Sequence, residues 1–141
     1  MTPVTILVLR DDDPRLDEIT EQFLAEHPEA ITVSTPPGSA EPSVRLCAAV
    51  NALQPTAPLV IVAVGETALM LPAVALSQHA QHRRVAEYVL LDPALPSASD
   101  TWPDARVTVV CGVDSDASLA ARLRGWDVLR PEDLSSWQVP D

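Results

Sequence analysis

The chain has 141 residues, 47% of them hydrophobic and 4% aromatic, with 20 acidic against 9 basic side chains for a formal net charge of −11. This length fits one domain, 1–141, burying about 70% of its unfolded surface, and the acidic balance argues against nucleic acid or an anionic membrane as partner. All nine basic residues are arginine, which excludes a Schiff-base lysine and a P-loop lysine.

Taken from the N-terminus, Val4–Leu9 predicts a short strand, broken by Asp11-Asp12-Asp13-Pro14. Pro14 suits a first helical turn, with aspartates before it as cap and dipole partners. Leu16, Ile19, Phe23 and Leu24 then recur at helical spacing. Ala30–Ser34 predicts a second strand, closed by Pro36-Pro37-Gly38, and Pro42 opens a helix carried by Val44, Cys47, Ala48 and Leu53. Leu59–Val64 is an unbroken apolar run, the mark of a central strand covered on both faces. A helix follows from Thr67 to about Gln81, in which Pro72 can be accommodated only near the start. Val85–Leu91 and Arg106–Cys111 predict further strands, separated by a polar loop. Ser118–Arg124 predicts a short helix, Trp126–Leu129 a last strand, and the tail is expected to dock through Leu134 and Trp137.

Regular βα alternation predicts a three-layer α/β sandwich with a mostly parallel sheet of about six strands. Ligands of such sheets sit at the carboxyl ends of the strands. On this assignment that edge carries Arg10 to Asp13, Glu66, Thr67, Asp92 and Asp114 to Asp116. Each residue also has a purely structural reading: the aspartates cap helices, Glu66 and Thr67 begin one, and Asp92 braces a proline turn. His79 and His82, flanked by glutamines and arginines, read as a solvated helix end, so no metal or cofactor is expected. Cys47 and Cys111 lie far apart in apolar segments, and no run nears the ~20 apolar residues of a membrane span. The expectation is a cytoplasmic protein.

The stretch Val62–Pro72, "VAVGETALMLP", has the shape of a nucleophile elbow, with Gly65-Glu66-Thr67-Ala68-Leu69 in place of Gly-x-Ser-x-Gly. Together with "TVSTPPGS" (Thr32–Ser39), "YVLLDPALP" (Tyr88–Pro96), "RVTVVCGVDSD" (Arg106–Asp116) and "AARLRGWDVL" (Ala120–Leu129), it makes the chain resemble the small, lidless members of the α/β-hydrolase superfamily. The resemblance implies a minimal α/β-hydrolase fold with Thr67 at the nucleophile position and Asp114 or Asp116 as the triad acid. It departs from the family's pattern in four ways. Threonine replaces serine, and Leu69 stands where a small residue allows close helix–strand packing. Leu9-Arg10-Asp11 replaces His-Gly on the oxyanion strand, and no histidine follows Trp126. His79 lies twelve residues beyond Thr67 on the expected helix, about 18 Å away at 1.5 Å per residue.

The expected function is therefore binding of a small molecule or a partner protein, without triad hydrolysis. Thr67, Glu66 and Asp114 are the candidate reactive groups, and Arg10, Asp11, Ala68 and Asp92 the candidate ligand contacts. One alternative is acid/base catalysis of isomerase, cyclase or lyase type by Glu66, Asp92 and Asp114 without a covalent intermediate. Another rests on "TILVLRDDDPRL", "YVLLDPALP" and "DVLRPEDL", which resemble parts of a response-regulator receiver. That resemblance implies Mg²⁺ at Asp12 and Asp13 and phosphate on Asp92. A chain this short without a lid is also compatible with a homodimer.

Overall fold

The apolar run Leu59–Val64 is a strand buried along its whole length, at the centre of a parallel sheet. The computed structural model describes residues 3–34, 41–97 and 102–140. The expected Pro36-Pro37-Gly38 turn lies outside them. Six strands, β1 (Thr5–Leu9), β2 (Ile31–Val33), β3 (Leu59–Val64), β4 (Val85–Leu91), β5 (Arg106–Val110) and β6 (Asp127–Leu129), run in the order β2-β1-β3-β4-β5-β6. Every neighbouring pair is parallel.

Period-2 alternation sends side chains to two separate cores. Helices α2 (Pro42–Leu53), α3 (Leu71–Ala80) and α4 (Asp116–Leu123) cover one face, where Leu46, Val50, Leu71, Val74 and Ala121 meet Leu7, Leu9, Ile61 and Leu90. Helix α1 (Asp17–Glu26) and the C-terminal 3₁₀ turn Pro131–Ser136 cover the other, packing Ile19, Phe23, Leu134 and Trp137 on Ile6, Val8, Val60 and Val62. This is the expected three-layer α/β sandwich, with an all-parallel sheet.

Several local expectations change. The helix expected from Thr67 starts at Leu71, with Pro72 in its first turn, after a 3₁₀ segment over Gly65–Met70. Val44 and Leu53 of α2 face solvent while Leu46 and Val50 are buried, so the helix packs through a narrower stripe than its composition suggested. Trp102, in the loop between β4 and β5, belongs to the core. It is buried edge-on between Tyr88 and Trp126, at 5.5 Å from each ring.

A bulge in β4 at Ala86, between the pairs Leu59↔Val85 and Val60↔Glu87, resets the alternation. Val85 and Tyr88 then both face the α2–α3 side, and Glu87 turns to the α1 side. Glu87 is 2% exposed, and its Oε2 accepts from Thr108 Oγ1 at 2.9 Å and from the Trp137 indole N–H at 2.7 Å. The tail thus docks through an apolar ring that also satisfies a buried carboxylate. Trp137→Ala is expected to cost about 3–5 kcal/mol. Trp137→Phe, which keeps most of the packing but removes the donor, is expected to cost about 1–3 kcal/mol. Urea unfolding of the two variants separates the contributions.

Candidate functional site

The strand order reverses between β1 and β3: the chain leaves β1 toward β2 on one side and returns to β3 on the other. A reversal of this kind opens a crevice between the carboxyl ends of the two strands. The register pairs Leu9 with Ala63, Val64 with Leu91 and Leu91 with Val110, so Arg10, Gly65, Asp92 and Cys111 emerge along one edge. Among the described residues, two depressions there share Asp11 and Glu66. One, of about 400 Å³, is lined by Arg10, Asp11, Asp12, Glu66, Thr67, Leu69 and Met70 together with Pro42 and Ser43 at the start of α2. The other, of about 520 Å³, is lined by Asp11, Asp13, Arg15, Glu66, Asp92 and their neighbours.

The turn after β3 explains which of its side chains reach the crevice. In a 3₁₀ helix residues three apart stand one above the other. Gly65, Ala68 and Leu71 therefore form one row, all buried, while Glu66 and Leu69 form a second, both exposed on the crevice wall. The crowding expected from Leu69 does not arise, because the 3₁₀ winding turns it outward, and Ala68 is a core residue that lines neither depression.

Thr67 and Met70 form the third row, at the boundary between core and crevice, with Thr67 buried and Met70 half-buried. The Thr67 Oγ1 accepts from the Val64 N–H at 2.8 Å and has the carbonyls of Val64 (2.7 Å) and Leu9 (3.0 Å) as acceptors for its single proton. The hydroxyl thus closes the turn on the ends of both strands.

Gly65 carries the sharpest constraint. Its φ is +58°, and a Cβ there would meet the Leu16 side chain and lie 2.6 Å from Asp11 Oδ2. The space is filled because Asp11 bridges two loops: Oδ2 accepts from the Glu66 N–H at 2.9 Å and Oδ1 from the Asp13 N–H at 3.0 Å. Asp13 is the cap of the 3₁₀ turn Pro14–Leu16, accepting from the Arg15 N–H. The Arg15 guanidinium grips the same carboxylate and holds it below the usual aspartate range.

Arg10 lines the first depression, but its guanidinium is tied to α1, 2.8 Å from Glu21 and 3.6 Å from Asp17, and the Glu21 hydrogen bond raises its pKa further. Asp92 stands at the rim of the second depression with φ +42°. Partial burial there pushes its carboxyl above the ordinary value of 3.8. Asp114 stands apart from the other candidates. It is exposed on the turn after β5 and lines neither depression, and the cap of α4 is Ser115, whose Oγ accepts from the Ser118 N–H at 3.1 Å. Arg10, Asp11, Glu66, Thr67 and Asp92 therefore converge, whereas Asp114 and Ala68 do not. Pro42, Ser43 and Met70 were missed in the sequence, where only the switch-point rule could have drawn attention to the start of α2. Among the described residues no histidine lines either depression, and no group of three His, Cys, Asp or Glu side chains is placed to hold a metal ion. No helix among them is long and apolar enough to cross a membrane.

No family model matches the chain, and no curated protein matches it either. A solved structure of the NocB thioesterase domain, in covalent complex with a fluorophosphonate nocardicin G analogue, is similar with a TM-score of 0.56 and 14% identity. The likeness covers 94% of this chain and 87% of that one, and it shows a shared α/β-hydrolase-like fold.

The Asp11–Gly65 contact is testable. Gly65→Ala is expected to lower the unfolding free energy by roughly 2–4 kcal/mol, from the left-handed backbone and the displaced carboxylate together. Its cost is expected to combine less than additively with that of Asp11→Ala, because both release the same bond. Urea unfolding of the two singles and the double gives the coupling. For Asp92, a raised folded-state pKa means stability is fully present below the unfolded value and is lost as pH rises through the folded one. Asp92→Asn should therefore gain stability relative to the parent as pH rises above that of an ordinary aspartate, and then level off. Thermal melts across a pH series read this directly.

Proposed function

We propose that this chain is a small-molecule binding protein on an α/β-hydrolase-like scaffold and that it does not hydrolyse esters through a triad. The observation that carries this reading is the Thr67 hydroxyl, which is buried and engaged with the backbone of Val64 and Leu9. A nucleophilic hydroxyl needs an adjacent base to take its proton and an open approach for the acyl group. Here it faces the strand ends, and the nearby carboxylate of Asp11 opposes any negative charge developing at the turn.

The crevice beside it suits a ligand. Its volume of about 400 Å³ lies in the range of small-molecule sites, roughly 300–1,000 Å³. Leu69, Met70 and Pro42 give it an apolar wall, and Asp12 and Glu66 offer carboxylates that accept no hydrogen bond from the described residues at their side chains. That combination favours a small amine or guanidine with an apolar portion.

The carboxylate-catalyst reading has one observation in its favour, the raised pKa of Asp92 in the depression it shares with Glu66 and Asp11. The receiver reading is weaker: Asp92 follows β4, separated from the acidic loop after β1 by the whole of β3.

A fluorophosphonate probe is expected to leave the protein unlabelled, and Thr67→Ser is expected not to restore labelling, as intact-mass spectrometry would show. Stoichiometric labelling at Thr67 with ester turnover would overturn the proposal. In a thermal-shift screen, small diamines and guanidines are expected to raise the melting temperature, with the shift lost in Glu66→Gln. Turnover that survives Thr67→Ala and dies with Glu66→Gln would instead favour the carboxylate catalyst.

A further inference from the structure

At the opposite edge of the sheet α3 ends and the chain turns back into β4. The Gln81, His82 and Arg83 N–H groups close on the carbonyls of Ser77, Gln78 and His79 at 2.9–3.1 Å. His82 takes a left-handed φ of +58° to make that closure, a position where glycine would be free of strain. The turn gathers His79, His82, Arg83 and Arg84 around a cavity of about 260 Å³. Among the described residues, no acidic side chain lines it.

What sets this cluster apart is the way Arg83 is held. Its Nη1 donates to Asn51 Oδ1 at 3.0 Å and to Gln78 Oε1 at 3.1 Å. Gln78 is fully buried in α3, its Nε2 donates to Asn51 Oδ1 at 3.2 Å, and Asn51 Nδ2 donates to Ser77 Oγ at 3.0 Å. A network of neutral groups on two helices thus fixes the guanidinium without neutralising it. Arg10, Arg15, Arg106 and Arg130 each pair with a carboxylate. In a chain with 20 acidic residues, Arg83 and Arg84, like Arg122 and Arg124, make no salt bridge among the described residues, and of these four Arg83 and Arg84 share one cavity. A fixed, uncompensated guanidinium is suited to an external oxyanion, which it can meet with paired, charge-assisted hydrogen bonds.

The acidic edge does not cancel this attraction. The six residues of β3 separate the two edges by about 20 Å, more than twice the Debye length of about 8 Å at physiological salt. The cavity falls below the ~300 Å³ of pockets for drug-sized ligands, so it fits a headgroup. We infer that His79, His82, Arg83 and Arg84 form a binding site for the phosphate group of a small molecule, positioned through Gln78 and Asn51.

The test titrates the full chain with inorganic phosphate at constant ionic strength, read by amide chemical shifts, with acetate as the comparison anion. Saturable binding is expected, with a dissociation constant of about 1 mM or tighter and shifts centred on residues 79–84. Arg84 is exposed, so Arg84→Gln should fold normally and weaken binding by about tenfold or more. Gln78→Met, which changes no charge, is expected to weaken binding while leaving the long-range salt dependence as it was. Failure to saturate, indifference to Arg84→Gln, or acetate binding as tightly as phosphate would each overturn the assignment.

Discussion

The carboxylate of Asp11 is the tie on which the carboxyl edge of this sheet depends. With one oxygen on the Glu66 amide and the other on the Asp13 amide, it fastens the loop after β1 to the turn after β3. Hydrogen bonds to a charged group contribute roughly 1.5–3 kcal/mol each when shielded, and less where water reaches them, as it does here. The geometry works only because Gly65 has no side chain. The glycine supplies both the left-handed backbone and the room for the carboxylate. The Thr67 hydroxyl closes the same turn from inside, on Val64 and Leu9, and the 3₁₀ winding between these two ties leaves Glu66 and Leu69 facing outward.

The molecule is also polar from one end of its strands to the other. Acidic side chains collect at the carboxyl edge, around the switch point, while the turn after α3 collects imidazoles and guanidiniums at the amino edge. Helix ends account for part of this, since Arg122 and His79 sit in last turns and Asp17, Glu18 and Asp116 in first turns, each complementing the helix dipole. The Gln78–Asn51–Arg83 network is not explained that way. Satisfying a fully buried glutamine takes specific partners, and here those partners orient a cation.

Much of the architecture was legible in the chain. An unbroken apolar run marked β3, alternation of strand and helix patterns implied a parallel sheet, and Pro14, Pro42 and Pro72 each stand in a first turn. The details of the site were less so. Nothing in "GETALM" distinguishes a 3₁₀ turn from the first turns of an α-helix, yet that difference decides where Thr67 and Leu69 point. Glu87 was invisible for another reason: within "VAEYVLL" it looks like an interruption, and its partners Thr108 and Trp137 lie 21 and 50 residues away. Asp114 was placed on the rim by strand order alone, and the turn after β5 carries it away from the crevice.

Both margins of the sheet, β2 and β6, consist of only three residues each. Unpaired N–H and C=O groups on a long flat margin invite another chain to add itself as a further strand. Three residues present too few such groups in sequence to template an incoming segment. Lateral growth of this sheet into a shared, continuous one is therefore closed off by the brevity of its borders.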